Sequence, residues 1–362
     1  MKKINTLELA SIIIIQTVTP FFGICFSVLK ENTGTNLWIS AIISYIIGLI
    51  PIALILFISN YEPSLTLKEK IIKLYGKHIG FIINLVLSII LIILSITLLY
   101  NINNFILSQF LYRTPFIISI ILFMLVILYC TNKGINVIFK LGYLLLFINL
   151  GLYLINIFSL IEHIDISNFF PILKENTNNL LSTSLKILSI NYLPLLCILI
   201  IPKNKITIPK NYNKTIIISY IIGILITFGL IVVTFGVLGK YLVNTFEYAE
   251  YIVLRKITLF GFLERIENII SLQWISGSFI YITLLIHTIK ENIIIKNYHK
   301  TTNTIISILL IILTILIFKN NITFDIYIKK ILPYIMSSLL LIYIIITTKI
   351  LISKKIDTSK FV

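Results

Sequence analysis

Polar and helix-breaking residues interrupt the first long apolar run of the chain, at residues 16–23 (QTVTPFFG). Pro20 lacks a backbone N–H and its ring clashes with the preceding turn, so a helix that reaches it must kink or break. Gly23 adds conformational freedom on the far side of this point. In lipid, a break is tolerated only where protein or a water-filled cavity satisfies the backbone groups that it frees. The segment is therefore either a kink that only affects packing or half of a binding site.

A second apolar run is interrupted near its middle, at residues 184–202 (SLKILSINYLPLLCILIIP). There Ser189, Asn191, Tyr192 and Pro194 replace the aliphatic pattern. Paired interruptions in corresponding helices of two halves are the best sequence indication of a binding site in a secondary transporter. Together the two runs predict a pair of discontinuous helices.

Broken helices expose free N–H groups at one half-helix and free C=O groups at the other. The N–H groups favour a carboxylate, and the carbonyls can accept an ammonium group or a small cation. A zwitterionic amino acid matches both ends without a charged protein side chain. This ligand class suits a chain whose apolar runs carry almost no charge.

Candidate ligand contacts lie in four apolar segments. Hydroxyl and amide side chains could hydrogen-bond the ligand, and aromatic or aliphatic ones could cover its apolar part. Those in the third and eighth segments have an alternative reading, because small polar residues of membrane helices more often pack helices together. The predicted substrate-binding residues are Thr17, Thr19, Pro20, Phe21, Phe22, Gly23, Thr97, Tyr100, Asn191, Tyr192, Pro194, Leu195, Ser276 and Thr283.

The elements that must position these residues are membrane-spanning helices. The 362-residue chain is 58% hydrophobic with a mean hydropathy of +1.03, more apolar surface than a soluble domain can bury. Its apolar runs have the length that crosses a hydrocarbon core, which predicts an all-α polytopic protein in contact with lipid. We expect ten spans, at residues 9–29, 37–59, 79–101, 115–131, 141–161, 181–201, 215–238, 269–290, 303–318 and 331–352.

Ten spans divide into five and five, which makes span 6 the counterpart of span 1 in the opposite membrane direction. We therefore predict one integral membrane domain over residues 1–362, with inverted repeats at about 9–161 and 181–352. Spans 1 and 6 are its broken helices.

The net charge of +16 is explained by topology rather than by a nucleic-acid partner. With the N-terminus inside, most lysines fall on one side of the membrane, in the loops 60–78, 132–140, 202–214 and 291–302 and in the C-terminal tail. This is the positive-inside pattern, and it places both termini in the cytoplasm. The outer loop 239–268 has helix-like spacing and predicts an amphipathic hairpin bent at Gly261. Its charges are either a solvated face or part of an occluding gate or docking surface.

The chain offers no nucleophile beside a base, no phosphate-binding glycine loop and no His/Cys metal spacing. No catalytic residue, metal site or cofactor is therefore predicted. Proton coupling usually needs an ionisable group deep in a span, but Lys186 lies near the outer end of span 6 and His287 near the inner end of span 8, so ordinary proton coupling is not favoured. A sodium site made of backbone carbonyls and hydroxyls stays open.

Several stretches follow in a familiar order: LWISAIISYIIGLI (37–50), EPSLTLKEKIIKLYGKHIG (62–80), RTP (113–115), KGINVIFKLG (133–142), NFFPIL (168–173) and ERIENIISLQW (264–274). Their order and spacing resemble the permease-like B subunits of bacterial spore germinant receptors, the GerAB family of the amino acid–polyamine–organocation superfamily. The resemblance covers nearly the whole chain.

The resemblance implies a LeuT-like five-plus-five fold and a germinant-binding role. It also implies A and C partner subunits in the spore inner membrane and a small nutrient ligand, usually an amino acid. On this basis residues 19–23 correspond to the unwound first helix, and Asn191, Tyr192, Pro194 and Leu195 to the sixth. The chain differs in its bulky PFF in the first break and in the asparagines of YNINNF (100–105), where relatives have glycine-rich and arginine-containing sequences.

Three functions remain open. The chain could be a germinant receptor subunit that binds an amino acid and signals through partners. It could be an autonomous amino acid permease that uses the same site, or a structural assembly component with a vestigial pocket. Adjacent genes for A- and C-type subunits would favour the first function, and an isolated gene the second.

Overall fold

The computed structural model describes residues 3–31, 33–172, 176–257, 267–293 and 299–359. Its regular elements are helices, as lipid requires of segments that must satisfy their own backbone groups. In the described chain, extended backbone pairs at an isolated bridge between Ile4 and Ile206. In chain order the helices are α1 (Thr6–Val18), α2 (Ile24–Lys30), α3 (Leu37–Ile47), α4 (Leu49–Asn60), α5 (Leu67–Gln109), α6 (Phe116–Lys133), α7 (Ile135–Leu160), α8 (Thr177–Ile187), α9 (Tyr212–Thr245), α10 (Ala249–Ile252), α11 (Glu267–Ile270), α12 (Leu272–Ile293), α13 (His299–Ile317), α14 (Asn321–Lys330) and α15 (Leu332–Ser359).

The predicted multi-pass, all-α architecture is confirmed. Within the described ranges, eight helical segments are long and apolar enough to cross a membrane, and the bent pair α1–α2 makes a ninth. The shorter apolar helix Thr301–Ile317 coincides with the predicted ninth span at 303–318. The structure therefore approaches the expected ten spans, and the tenth depends on whether this shorter helix also crosses.

Span 1 is broken where the sequence predicts. Helix α1 ends at Val18, a 3₁₀ turn follows over Thr19–Phe21, and α2 begins after Gly23. Gly23 has a φ of +74°, a conformation that glycine adopts without steric cost. The two halves bend by 46°. Proline thus ends the first half, and glycine redirects the chain into the second.

Span 6 changes helix type instead of bending sharply. Helix α8 passes into a π-helical turn at Leu188–Tyr192 and then into a 3₁₀ helix at Leu193–Ile200. Pro194 stands at the start of the 3₁₀ segment, where its missing N–H costs least. In the span Thr177–Ile200, 89% of the most apolar 18-residue window is buried inside the protein. In the span Ile135–His163, the corresponding share is 17%. Span 6 is therefore a central element of the bundle.

Glycines let neighbouring helices approach the first span closely. Helix α1 packs on α7, α9 and α12. A Cβ atom placed on Gly223 of α9 would lie 2.8 Å from Thr17, and one on Gly277 of α12 would lie 2.6 Å from the hydroxyl of Thr19. The backbone of spans 7 and 8 therefore lies directly against the polar residues around the break.

The outer loop between α9 and α12 is described before α11 at residues 246–257, and this part folds over the bundle. Helix α10 and a 3₁₀ turn at Val253–Lys256 form its first part. Gly261, the predicted bend of an amphipathic hairpin, lies outside the described residues. Most of the described first part is buried, with Ala249, Glu250 and Tyr251 each less than a tenth exposed.

The contact between Gly223 and Thr17 predicts a steric penalty for Gly223→Ala. The added methyl group would force apart two packed helices, which costs about 1–3 kcal/mol in a well-packed interior. Gly151→Ala in α7 is the matched control, because a Cβ there meets nothing within 4 Å. In this control, the higher helix propensity of alanine should raise the free energy of unfolding by up to about 1 kcal/mol. Thermal unfolding of the purified protein should show a lower midpoint for the first variant only, and equal midpoints would contradict the close contact.

Candidate functional site

The break in span 1 frees the amide of Gly23, and a carboxylate from a distant part of the chain accepts its hydrogen bond. Gly23 N–H donates to Oε1 of Glu250. Glu250 belongs to α10 in the outer loop and is 4% exposed. A buried amide without a partner would cost free energy comparable to a lost hydrogen bond. The outer loop therefore supplies a group that the break requires.

The Glu250 carboxyl group is deeply enclosed. Burial raises its pKa, while the hydrogen bond from Gly23 and the charge of Lys30 oppose this change. Its second oxygen, Oε2, has no hydrogen-bond partner in the part of the chain that the structure describes. The same holds for the indole Nε1 of Trp274, which borders the same small cavity. This cavity has a volume of about 10 Å³, so it has no room for a ligand beside Glu250.

Span 3 satisfies a carbonyl that the break frees. The side chain of Asn101 donates to the carbonyl of Phe22 at 2.9 Å. The ring of Phe22 stacks on Trp274 of α12, with 5.5 Å between centroids and an interplanar angle of 25°. A Cβ on Gly23 would lie 2.5 Å from Oδ1 of Asn101, so a larger residue at this position has no space. The break is thus fixed from two sides.

Span 6 meets the first half of span 1 at the carbonyl of Thr17. The side chain of Asn191, in the π-helical turn, donates to this carbonyl at 2.9 Å. Tyr192 lies in an aromatic cluster, 6.4 Å from Tyr45 and 5.4 Å from Tyr220 between ring centroids. The structure therefore brings the two predicted interruptions into direct contact through a hydrogen bond.

The remaining residues predicted in spans 1 and 6 are mostly buried. Thr19 borders a cavity of about 30 Å³ that Phe22 and Gly277 also line. The side chains of Pro20, Phe21, Pro194 and Leu195 belong to the buried interior. The described structure thus presents a closed junction of spans 1 and 6.

The four residues predicted in spans 3 and 8 face other partners. Thr97 bonds the carbonyl of Ile93 in its own helix, and Thr283 likewise bonds that of Phe279. The hydroxyl of Tyr100 donates to Asn321 at 2.9 Å. Ser276 exchanges hydrogen bonds with Asn149 of α7 at 3.0 and 3.1 Å. The structure does not bring these side chains to the hydrogen bonds of the break.

A larger cavity lies at the opposite end of the bundle from the outer loop. Its volume is about 510 Å³. It extends from the loop before α5 to the 3₁₀ half of span 6 and the C-terminal part of α12. Its lining residues are Ser64, Thr66, Leu67, Lys68, Glu69, Leu87, Ile135, Cys197, Ile200, Pro202, Lys205, His287, Thr288, Glu291 and Asn292. One end of the molecule is therefore closed over the break, and the other contains a cavity lined by both charged and apolar side chains.

Three of the residues around the break lie outside the predicted set. Asn101 is polar within an apolar span, and this is a signal that could have placed it in the site. Glu250 and Trp274 carry no such signal, because charged and aromatic residues are ordinary in an outer loop and at a membrane interface. Their roles depend on the tertiary fold.

A bent first span, a sixth span with π and 3₁₀ segments and an enclosed polar junction between them define a multi-pass membrane protein of transporter fold. Two solved variants of the manganese transporter from Eremococcus coleocola share this fold, with TM-scores of 0.63 and 0.62. They are 12% and 13% identical to this chain, and each alignment covers 94% of this chain and 78% of the transporter. The predicted LeuT-like architecture is confirmed at the level of the fold. The described residues include no group of three or more His, Cys, Asp or Glu that could hold a metal ion.

The chain belongs to the spore permease family, described as spore germination protein. The model of this family matches residues 3–324. A similar curated protein is spore germination protein XB of Bacillus anthracis, which is 24% identical over 325 residues. That alignment covers 86% of this chain and 87% of the relative. The predicted family resemblance is therefore confirmed.

The hydrogen bond from Asn101 to Phe22 predicts a loss of stability in Asn101→Leu. This substitution removes one of the two hydrogen bonds that the part-buried Phe22 carbonyl accepts, and the Ile24 N–H remains, so we expect a cost of about 0.5–1.5 kcal/mol. Thr97→Val in the same helix is the control, because the Thr97 hydroxyl mainly bonds the Ile93 carbonyl of its own helix, and we expect less than about 0.5 kcal/mol there. The thermal unfolding midpoint of each purified variant measures the difference. Equal losses in both would show that Asn101 does not hold the break.

Proposed function

We propose that this chain is the permease-like subunit of a spore germinant receptor and that it binds an amino acid germinant where spans 1 and 6 meet. The observation that carries the proposal is the hydrogen bond between the Gly23 amide and a carboxylate, the group that every amino acid also presents. Membership of the spore permease family supports the germination role.

The junction also offers an acceptor for an ammonium group. The carbonyl of Thr17 accepts one hydrogen bond from the side chain of Asn191, and its two lone pairs leave capacity for a second donor. The carbonyl of Phe22 already accepts two hydrogen bonds, from the Asn101 side chain and from the Ile24 N–H, both at 2.9 Å. A zwitterion could therefore bind through backbone groups on both sides of the break. Thr19, Tyr192 and the other predicted contacts of spans 1 and 6 would then shape the pocket around its side chain.

Family membership and the charge pattern support the wider assignment. We propose that A and C subunits are the partners and that the protein lies in the spore inner membrane. Lysines cluster at the end of the bundle that carries the N-terminus and the larger cavity, for example Lys68, Lys203 and Lys205. The positive-inside rule favours the cytoplasm for that end and for both termini.

An autonomous amino acid permease is the second candidate. The cavity of about 510 Å³ at the lysine-rich end favours it, because a carrier needs an aqueous route from its central site to the inner face. The cavity reaches Cys197 and Ile200 in the second half of span 6. A receptor that only signals has no need of such a route.

Ligand-dependent thermal stabilisation tests the proposed site. A ligand that binds only the native state stabilises it by about 2.7 kcal/mol at a hundredfold excess over its Kd. Among L-amino acids and nucleosides, we expect an amino acid to raise the unfolding midpoint of the purified protein. Thr19→Val should weaken that ligand about three- to tenfold, the effect of one lost hydrogen bond. Thr131→Val is the control, because this buried hydroxyl bonds Ile127 in α6, away from the break.

The comparison of affinities decides the outcome. Equal Kd values for the wild type and Thr19→Val would remove Thr19 from the site. A panel in which nucleosides, but no amino acid, stabilise the protein would overturn the ligand class. Uptake of the stabilising amino acid into proteoliposomes by the chain alone would favour the permease over the receptor subunit.

A further inference from the structure

The outer loop carries Glu250 to a fixed position over the break. The ammonium group of Lys30, at the end of α2, donates to the loop carbonyls of Phe246 at 2.6 Å and Glu247 at 3.3 Å. On the other side of the loop, Asn104 of α5 donates to the Glu247 carboxylate at 2.9 Å and to the Tyr248 hydroxyl at 2.6 Å. The loop is thus anchored to spans 1 and 3 immediately before α10.

Of the two acids in the turn 247–250, Glu250 is the one that enters the bundle. The neighbouring Glu247 is directed elsewhere, because its carboxylate accepts from Asn104 and from Asn321 of α14. The Glu250 carboxylate instead accepts from the backbone of the break at Gly23. Two acids in one turn therefore differ clearly in position, and only the contact of Glu250 matches the chemistry of a ligand carboxylate.

We propose that Glu250 is a tethered carboxylate that occupies the anion-binding point of the site, and that the carboxylate of a free ligand displaces it. This inference rests on the proposed function, in that it requires the break to bind a ligand. The ligand class is then a small molecule with a free carboxylate, and the outer loop is the part of the receptor that responds to it.

Occupation by Glu250 and by a ligand exclude one another for reasons of space. The cavity beside Glu250 holds about 10 Å³, less than or equal to the room that a single water molecule needs. The indole N–H of Trp274 already lacks an acceptor, and when Glu250 leaves, the Gly23 amide lacks one as well. Because Glu250 both contacts this amide and lines the same cavity as Trp274, a carboxylate in its place would have one donor at Gly23 and a second at the wall of the cavity.

A tethered group competes at high effective concentration. Short tethers give effective concentrations of about millimolar or more, so a weak free ligand competes poorly until the tethered group is removed. Removal of Glu250 should therefore raise the apparent affinity for a free carboxylate by about tenfold or more, because the binding-competent fraction rises.

Chemical rescue by acetate tests the inference. Glu250→Ala should lower the thermal unfolding midpoint of the purified full-length protein, and sodium acetate should restore it in a saturable manner. Acetamide, a neutral molecule of the same shape, should rescue less well, and sodium chloride at matched ionic strength should have no effect. Glu247→Ala is the matched control from the same loop, and we expect no rescue by acetate there. Equal rescue of both variants, or no rescue of Glu250→Ala, would overturn the tethered role.

Glu250→Gln covers the case in which the alanine variant does not fold. Glutamine keeps the length and one acceptor oxygen for Gly23 but carries no charge. The apparent Kd of L-alanine and of acetate should then fall relative to the wild type, while that of the carboxylate-free probe ethylamine should stay the same. Unchanged Kd values for both carboxylates would contradict displacement.

The two proposals fail in different ways. Rescue by acetate without binding of any amino acid would support the tethered carboxylate and overturn the amino acid germinant. Amino acid binding with the same Kd in the wild type, Glu250→Ala and Glu250→Gln would support the germinant site and overturn the tethered carboxylate.

Discussion

The backbone groups freed by the break in span 1 impose a requirement that the surrounding structure must meet. Water is absent from the hydrocarbon region, so each free N–H or C=O needs a partner from the protein. The Gly23 amide bonds the outer loop, the Phe22 carbonyl bonds span 3 and the Thr17 carbonyl bonds span 6. A local defect in one helix thus holds three separate elements together, and two of these groups, the Gly23 amide and the Thr17 carbonyl, are the ones that a zwitterionic ligand would use.

Close helix packing makes this arrangement possible. The lack of side chains at Gly223 and Gly277 lets the backbone of spans 7 and 8 lie against Thr17 and Thr19 and shield this part of the break from lipid. Small residues play this part widely in membrane proteins, where helices gain little from apolar burial against one another. Packing at the glycines and hydrogen bonding at the break therefore depend on each other, since a larger separation would expose the freed groups.

The sequence predicted the elements better than the contacts. Pro20 and Pro194 act on their own helices, so their effects follow from local chemistry alone. Local chemistry does not say whether Tyr100 or Asn101 faces the break. Adjacent residues of a helix point about 100° apart, so the packing of span 3 decides which of the two does. The contact of Glu250 with the break could not be predicted from the sequence for another reason. It is 227 residues from Gly23, and the helix-like spacing of its loop indicates an amphipathic segment without saying what its acids contact.

Receptor and carrier differ in what the movement of the outer loop accomplishes. A ligand shifts a conformational equilibrium only by its differential affinity for the two states. If a ligand carboxylate takes the place of Glu250, that difference arises directly at the Gly23 amide, and it releases a loop that Lys30 and Asn104 otherwise hold at its base. In a receptor subunit the released loop is itself the signal that a partner can detect. In a carrier the same release must be coupled to the larger cavity at the other end, through the π and 3₁₀ segments of span 6. A carrier thus requires span 6 to transmit the movement of the loop, whereas a receptor subunit does not.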